Sequence, residues 1–315
     1  MTDQPRLLLI GGTGFLGRHV CEAAERRGVA ATTASRTPDT DFLKAHAPSV
    51  DAISIEDIDT AAFQQALGAA THVVYMAHAG KPSAAGTLTQ DIHRGFTKLS
   101  SIVDGIMQAE TPPHLVYLSS GGQIYGRVEA TPIKEDVRPN PVTRYGATKL
   151  VNETLLAYLS LAEGLSTTVL RLGNPVGRWQ LLGSHGLVSA AVRAAMTDTP
   201  LTIFGSGDNV RDYFDADDFA EFVVSTTLDN AWMSGVYNVG SGEGHTETDI
   251  IGLVGARTGR PVRHGFQPAR KFDMPYAVLD SGKAEAELGW SASTPLEATI
   301  DKLTAFVTAG HMPDD

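Results

Sequence analysis

Tyr145 and Lys149, in "RYGATK" (144–149), stand four residues apart, so on a helix they share one face. A phenol beside an ammonium is a proton carrier, because the positive charge favours the tyrosinate and draws the phenol toward a usable pKa. Upstream, "YLSSGGQIYG" (117–126) ends an apolar run with two hydroxyls, Ser119 and Ser120. Hydroxyl, phenol and ammonium together suit redox chemistry at a carbonyl.

Such chemistry needs a hydride carrier, and the N-terminal segment has the form of a place for one. "LLLIGGTGFLGRHV" carries glycines at 11, 12, 14 and 17, satisfying both GxxGxxG (Gly11, Gly14, Gly17) and GxGxxG. A bare glycine pattern is weak, but this one follows an apolar strand and opens a helix, the context a dinucleotide requires. The glycines allow a tight turn and close approach to a pyrophosphate. The N–H groups of the first helical turn, at Phe15, Leu16 and Gly17, face it with the positive end of the helix dipole. The second strand, "VAATTAS" (29–35), ends on Ser35 and is followed by Arg36, with no acid until Asp39. An acid at that place would accept from both ribose hydroxyls of NAD, whereas a cation suits a 2′-phosphate. Ser35 and Arg36 therefore favour NADP(H) over NAD(H). "IEDID" (55–59) places Asp57 and Ile58 near the adenine, although Asp57 serves equally as a helix N-cap. Ala77, at the end of the fourth apolar run, completes the cofactor-facing set.

The elements that must hold these residues alternate. Strands are expected at 6–10, 29–35, 50–54, 71–77, 114–120 and 166–172, with helices at 18–28, 60–68, 89–109 and 145–163 between them. That alternation predicts an α/β fold, a Rossmann-type doubly wound parallel sheet covered on both faces. Beyond Arg171 the pattern loosens into Pro, Gly and polar clusters. The expected division is a dinucleotide-binding domain at 1–172, with a return segment near 205–235. A smaller C-terminal substrate-binding lobe is built from 173–204 and 236–315.

Composition narrows the partners. The 315 residues are 42% hydrophobic and 19% charged, with a formal net charge of −11, which disfavours nucleic acid and anionic membrane surfaces. The single cysteine, Cys21, falls in the first helix as a core residue and excludes a disulfide framework. The ten histidines form no HExxH-like pair, so no catalytic metal is expected. The N-terminal apolar run is too short for a signal peptide or membrane span, and a cytoplasmic protein is expected.

From "GGTGFLG" through "YGATK" to "LGW", nearly the whole chain resembles an extended short-chain dehydrogenase/reductase of the NAD-dependent epimerase/dehydratase family. UDP-glucose 4-epimerases and nucleotide-sugar 4-ketoreductases belong to that family. The resemblance implies Tyr145 as acid/base at a sugar hydroxyl or ketone, with Lys149 supporting it and holding the nicotinamide ribose. It implies a nucleotide-diphosphate sugar as substrate and a homodimer formed through two helices per subunit. Asn174 in "GNPVG" matches the asparagine that meets the sugar diphosphate. Arg211 in "NVRDYFDADD" and Arg270 in "ARKFD" match diphosphate clamps, and Asp273 matches a nucleotide contact. Planar bidentate donors suit phosphate oxygens.

One position departs from the pattern. The family keeps its catalytic Ser or Thr four residues before the Tyr of "IYG", and that place here is Gly121. Three readings stay open: Ser120 supplies the hydroxyl through a one-residue shift, the Gln123 amide replaces it, or Tyr145 acts alone. Ser119 is expected to satisfy backbone groups. The Asp-Glu pair that family dehydratases carry next is replaced by Gly122 and Gln123, neither of them an acid or a carboxylate base, which argues against water elimination. The leading expectation is a 4-epimerase acting by transient oxidation at sugar C4. Its rivals are an NADPH-dependent 4-ketoreductase and a non-catalytic dinucleotide-binding protein of the same fold.

Overall fold

The computed structural model describes residues 4–55, 60–77, 87–129, 131–180, 186–270 and 272–310. Along the first half run β1 (Arg6–Ile10), α1 (Phe15–Arg27), β2 (Ala30–Ser35), α2 (Thr40–His46), β3 (Asp51–Ser54) and α3 (Ala61–Ala69). Then come β4 (His72–Tyr75), α4 (Leu88–Gln108), β5 (His114–Ser120), the single turn α5 (Gly121–Ile124), α6 (Arg144–Glu163) and β6 (Thr167–Leu172). The second half holds β7 (Asn174–Val176), α7 (Leu187–Thr197), β8 (Leu201–Phe204), β9 (Val210–Asp215), α8 (Ala216–Leu228) and β10 (Gly235–Val239). It closes with β11 (Gly244–Thr246), α9 (Glu247–Thr258), β12 (His264–Gln267), β13 (Tyr276–Ala277), α10 (Gly282–Leu288) and α11 (Leu296–Thr308).

Seven strands form one parallel sheet in the order β10-β6-β5-β4-β1-β2-β3. Its central strands are apolar on both faces because both are covered. Leu7, Leu9, Val74, Val116 and Leu170 pack with α1 and α8 residues such as Val20, Cys21 and Phe219. Their neighbours Leu8, Ile10, Val73, Leu115 and Val169 pack on the other face with Phe63, Leu99, Ile102 and Leu156 of α3, α4 and α6. This is the period-two alternation of a strand buried twice over. The order reverses between β1 and β4, so a crevice opens beyond their carboxyl ends, where doubly wound sheets bind ligands.

The smaller lobe packs α7, α9 and α11 around Val192, Ile203, Tyr213, Ile250 and Ile300. The chain's return to the main sheet differs from the expected 205–235. β9 pairs with β7, β11 and β13 in the lobe, and the returning pieces are α8, β10 and α10. Alternation of polar and apolar residues in β9 does not say which of two sheets it joins. The helix α2 lies outside the expected elements; Asp39 caps it by accepting from the Phe42 N–H at 2.9 Å. Among the described residues no helix is long and apolar enough to cross a membrane.

Candidate active site

Helix α6 begins at Thr143, whose hydroxyl accepts from the Gly146 N–H at 3.0 Å, and ends at Gly164 in the left-handed region at φ 74°. Tyr145, Lys149 and Glu153 follow one another by single turns on the face toward β5 and β6. Lys149 is 7% exposed. Its Nζ donates to the Leu118 carbonyl at 2.5 Å and lies 4.7 Å from the Tyr117 ring centre and 5.8 Å from that of Tyr145. Burial brings the ammonium down to about 8, partly offset by the negative charge of Glu153. Glu153 is itself neutralised by Arg171 of β6, which reaches its carboxylate through Nε at 3.1 Å and Nη2 at 2.7 Å. Burial pushes the Tyr145 phenol up to about 12, against a hydrogen bond with Ser120 that lowers it.

That hydrogen bond joins the last residue of β5 to the phenol. At Gly121, next along, a side chain would have to displace Leu279: a β-carbon there would lie 2.5 Å and 2.7 Å from the two Leu279 methyls and 3.2 Å from the Arg171 carbonyl. Gln123 spends its side-chain oxygen on the Thr143 hydroxyl at 3.1 Å, so it helps seat the start of α6. Ser119, 4% exposed, has no hydrogen-bond partner for its hydroxyl among the described residues, contrary to the expectation that it satisfies backbone groups.

The glycine loop lies at the crevice. Gly11, at φ 89°, turns the chain against the segment after β4, where a β-carbon would meet the Ala77 nitrogen at 3.0 Å. At Gly17 a β-carbon would strike the Gly11 carbonyl and Gly12 at 2.5 Å, so only glycine lets α1 approach its own loop this closely. Gly14 is the N-cap of α1. It provides no side-chain cap, and the first turn holds no acid, leaving the N–H groups of Phe15, Leu16 and Gly17 at an uncapped positive helix end. This cradle fits the diphosphate of a dinucleotide.

At the end of β2, the Ser35 hydroxyl lies 3.3 Å from that of Thr13, and Arg36 is exposed. Asp39 is turned away into the α2 cap and a 2.6 Å pair with Arg18. Arg18, which sequence reasoning does not single out, also donates to the Thr13 carbonyl at 3.1 Å and stacks 4.7 Å over Phe42. Asp57 and Ile58 lie outside the described residues.

In the smaller lobe the structure brings Arg211, Arg270 and Asp273 into one electrostatic neighbourhood. Burial lowers the pKa of Arg211, Arg270 adds to that as a like charge, and Glu247 and Asp273 oppose it. Arg270 holds Asp273 in a bidentate pair at 2.9–3.1 Å and stacks 4.3 Å over Phe204. The Asn174 amide donates to the Asp212 carbonyl at 2.9 Å, beside Arg211. Asp212 is fully buried and accepts from Ser241, Gly242 and Leu279 N–H groups, a structural anchor. His19, Glu22 and Asp217 cluster on α1 and α8 closely enough to hold a cation, and Arg178 already sits between the two carboxylates at 2.8 Å and 3.1 Å.

Known proteins share this fold. The chain is 30% identical to the UDP-glucose 4-epimerase of Azospirillum brasilense, over 92% of its own length and 89% of that protein. It is 30% identical to the dTDP-4-dehydro-6-deoxyglucose reductase of Escherichia coli over 60% of each chain. The crystal structure of the Thermus thermophilus UDP-glucose 4-epimerase in complex with NAD superposes with a TM-score of 0.84 at 26% identity, covering 96% of this chain and 99% of that one. A profile of the NAD dependent epimerase/dehydratase family matches residues 7–240, and the chain belongs to that family.

Proposed function

We propose that this protein is a nucleotide-sugar 4-epimerase that oxidises a sugar transiently at C4. The observation that carries the reading is the Ser120–Tyr145 hydrogen bond, with Lys149 one turn away, in the crevice that the glycine loop borders. The paired arginines of the smaller lobe supply a place for a diphosphate. A bound nicotinamide dinucleotide would supply the acceptor and donor of hydride. Tyr145 removes the proton from the C4 hydroxyl and later returns it, with Ser120 sharing the hydrogen bond at that oxygen. Lys149 places a positive charge near the phenol and stabilises the tyrosinate. Arg211 and Arg270 grip the diphosphate and leave the sugar free to turn, so either face of the 4-keto sugar meets the hydride donor.

A second reading, a nucleotide-4-keto-sugar reductase, is favoured by the end of β2. Ser35 and Arg36 stand where a ribose-reading acid would, and Asp39 is engaged elsewhere. They support a preference for NADP(H) over NAD(H), the cofactor of a one-way reduction. One preparation separates the readings. Protein purified without added cofactor is denatured and the released dinucleotide identified by mass spectrometry. Stoichiometric NAD supports the epimerase and sinks the NADP(H) preference. An empty protein that binds NADPH tightly and reduces a nucleotide 4-keto sugar establishes the reductase. On the NADP(H) reading, Arg36→Ala raises the Kd for NADPH about tenfold or more, as loss of a charge-assisted contact implies. An equal change for NADH overturns that reading.

We also propose a homodimer formed by α4 and α6. Phe96, Pro141, Leu150, Val151, Leu155 and Tyr158 line one apolar groove, and Leu161 continues the stripe at 90% exposure. Such a stripe on two adjacent helices suits a second copy of itself. Light scattering is expected to give a dimer for the native chain and a monomer for Leu155→Glu/Tyr158→Glu. A monomeric native chain at micromolar concentration refutes it.

A further inference from the structure

We infer that Leu279 is a positioning residue for the Ser120 hydroxyl: its side chain, delivered from the smaller lobe, takes the volume that a side chain at Gly121 would occupy and so seats the turn between β5 and α5. The inference rests on the reading of Ser120 and Tyr145 as the reacting pair.

Leu279 is fully buried and packs with Ile124, Tyr125 and Ile133 beneath the turn. Its methyls stand where a β-carbon at 121 would fall, at 2.5 Å and 2.7 Å, and the Arg171 carbonyl closes the opposite side at 3.2 Å. Gly121 is thus wedged between the β6 backbone and one leucine. Ser120 precedes it in extended conformation, at φ −140° and ψ 107°, so any displacement of Gly121 swings the hydroxyl relative to the phenol.

Leu279 is fixed from behind by the backbone. Its N–H donates to the Asp212 carboxylate at 3.1 Å. The neighbouring residues bracket Ile133, through Ile133 N–H to the Val278 carbonyl at 2.9 Å and Asp280 N–H to the Ile133 carbonyl at 2.9 Å. Asp212 adjoins Arg211 in β9, so the strand that presents a diphosphate clamp also holds the leucine under the catalytic turn. The absence of a side chain at 121 and the bulk at 279 are two halves of one packing solution. The hydroxyl function then falls to Ser120.

A double-mutant cycle tests this. Gly121→Ala collides with Leu279 and is expected to lower Tm by about 5 °C or more, a typical overpacking effect. Leu279→Ala leaves a cavity, lowers Tm by a similar amount, and cuts kcat about tenfold, with KM for the nucleotide sugar within about twofold. In Gly121→Ala/Leu279→Ala the new methyl enters the vacated space, so Tm and kcat rise above both single variants. Leu279→Met, which conserves volume, keeps kcat within about twofold. Additive losses of Tm overturn the inference, as does an unchanged kcat in Leu279→Ala. If the native protein turns over no nucleotide sugar, the functional reading falls, and the Tm cycle alone decides whether residues 121 and 279 share one space.

Discussion

Tyr145→Phe is expected to lower kcat about 10³-fold while leaving dinucleotide affinity and Tm within error of the native protein. The change removes one oxygen, the atom whose proton must move. Burial raises the phenol to about 12. Oxidation at C4 needs the tyrosinate as base, which the Lys149 charge favours, and return of hydride to the 4-keto sugar needs the phenol as acid, so both half-reactions run through this one oxygen. The glycine cradle is built by the β1–α1 loop and the segment after β4, elements other than α6, which carries Tyr145, so cofactor binding is expected to be kept. Turnover within tenfold of native, in protein shown to bind dinucleotide, would remove Tyr145 from the chemistry. A native protein that binds dinucleotide but turns over no nucleotide sugar would instead bring back the reading of a non-catalytic dinucleotide-binding protein. Ser120→Ala acts on the same proton but leaves the phenol in place, so its loss should be smaller than that of Tyr145→Phe.

The glycine loop, the sheet strands before β7 and the Tyr145–Lys149 pair are legible in the sequence because each is local. A turn needs glycine within a few residues, a strand shows its period within six, and a helical pair shows at four. What escapes depends on residues distant in sequence. Gly121 reads as a defect until Leu279 is seen filling its side-chain space. Glu153 looks like an ordinary helix-surface acid, yet Arg171 of β6 buries it to 6% exposure. Arg18 reads as a surface helix residue, and only the fold brings Thr13, Asp39 and Phe42 around it. β9 carries the expected clamp, Arg211, but pairing it with β7 and β11 requires strands that are themselves only three residues long.

Lys149→Met is expected to cost about 10²–10³-fold in kcat/KM at pH 7, and to erase an alkaline limb that the native protein shows. The native ammonium is brought down to about 8, so it is mostly charged at pH 7 and loses its charge as pH rises through about 8. The Tyr145 phenol, raised by burial to about 12, does not itself titrate in that range, so the limb reports the Lys149 charge that eases its ionisation. Native kcat/KM should therefore fall with rising pH above about 8, whereas Lys149→Met should be low and flat there. The fold should survive the substitution, because Glu153 keeps Arg171 as its partner and is not left as an unpaired buried charge. Lys149→Arg retains the charge at every accessible pH. Its guanidinium does not fit the single carbonyl position at Leu118, so it should be slower than native but lack the limb near pH 8. An alkaline limb that persists unchanged in Lys149→Met would mean that another group titrates there, and that the charge of Lys149 does not set the reactivity of Tyr145.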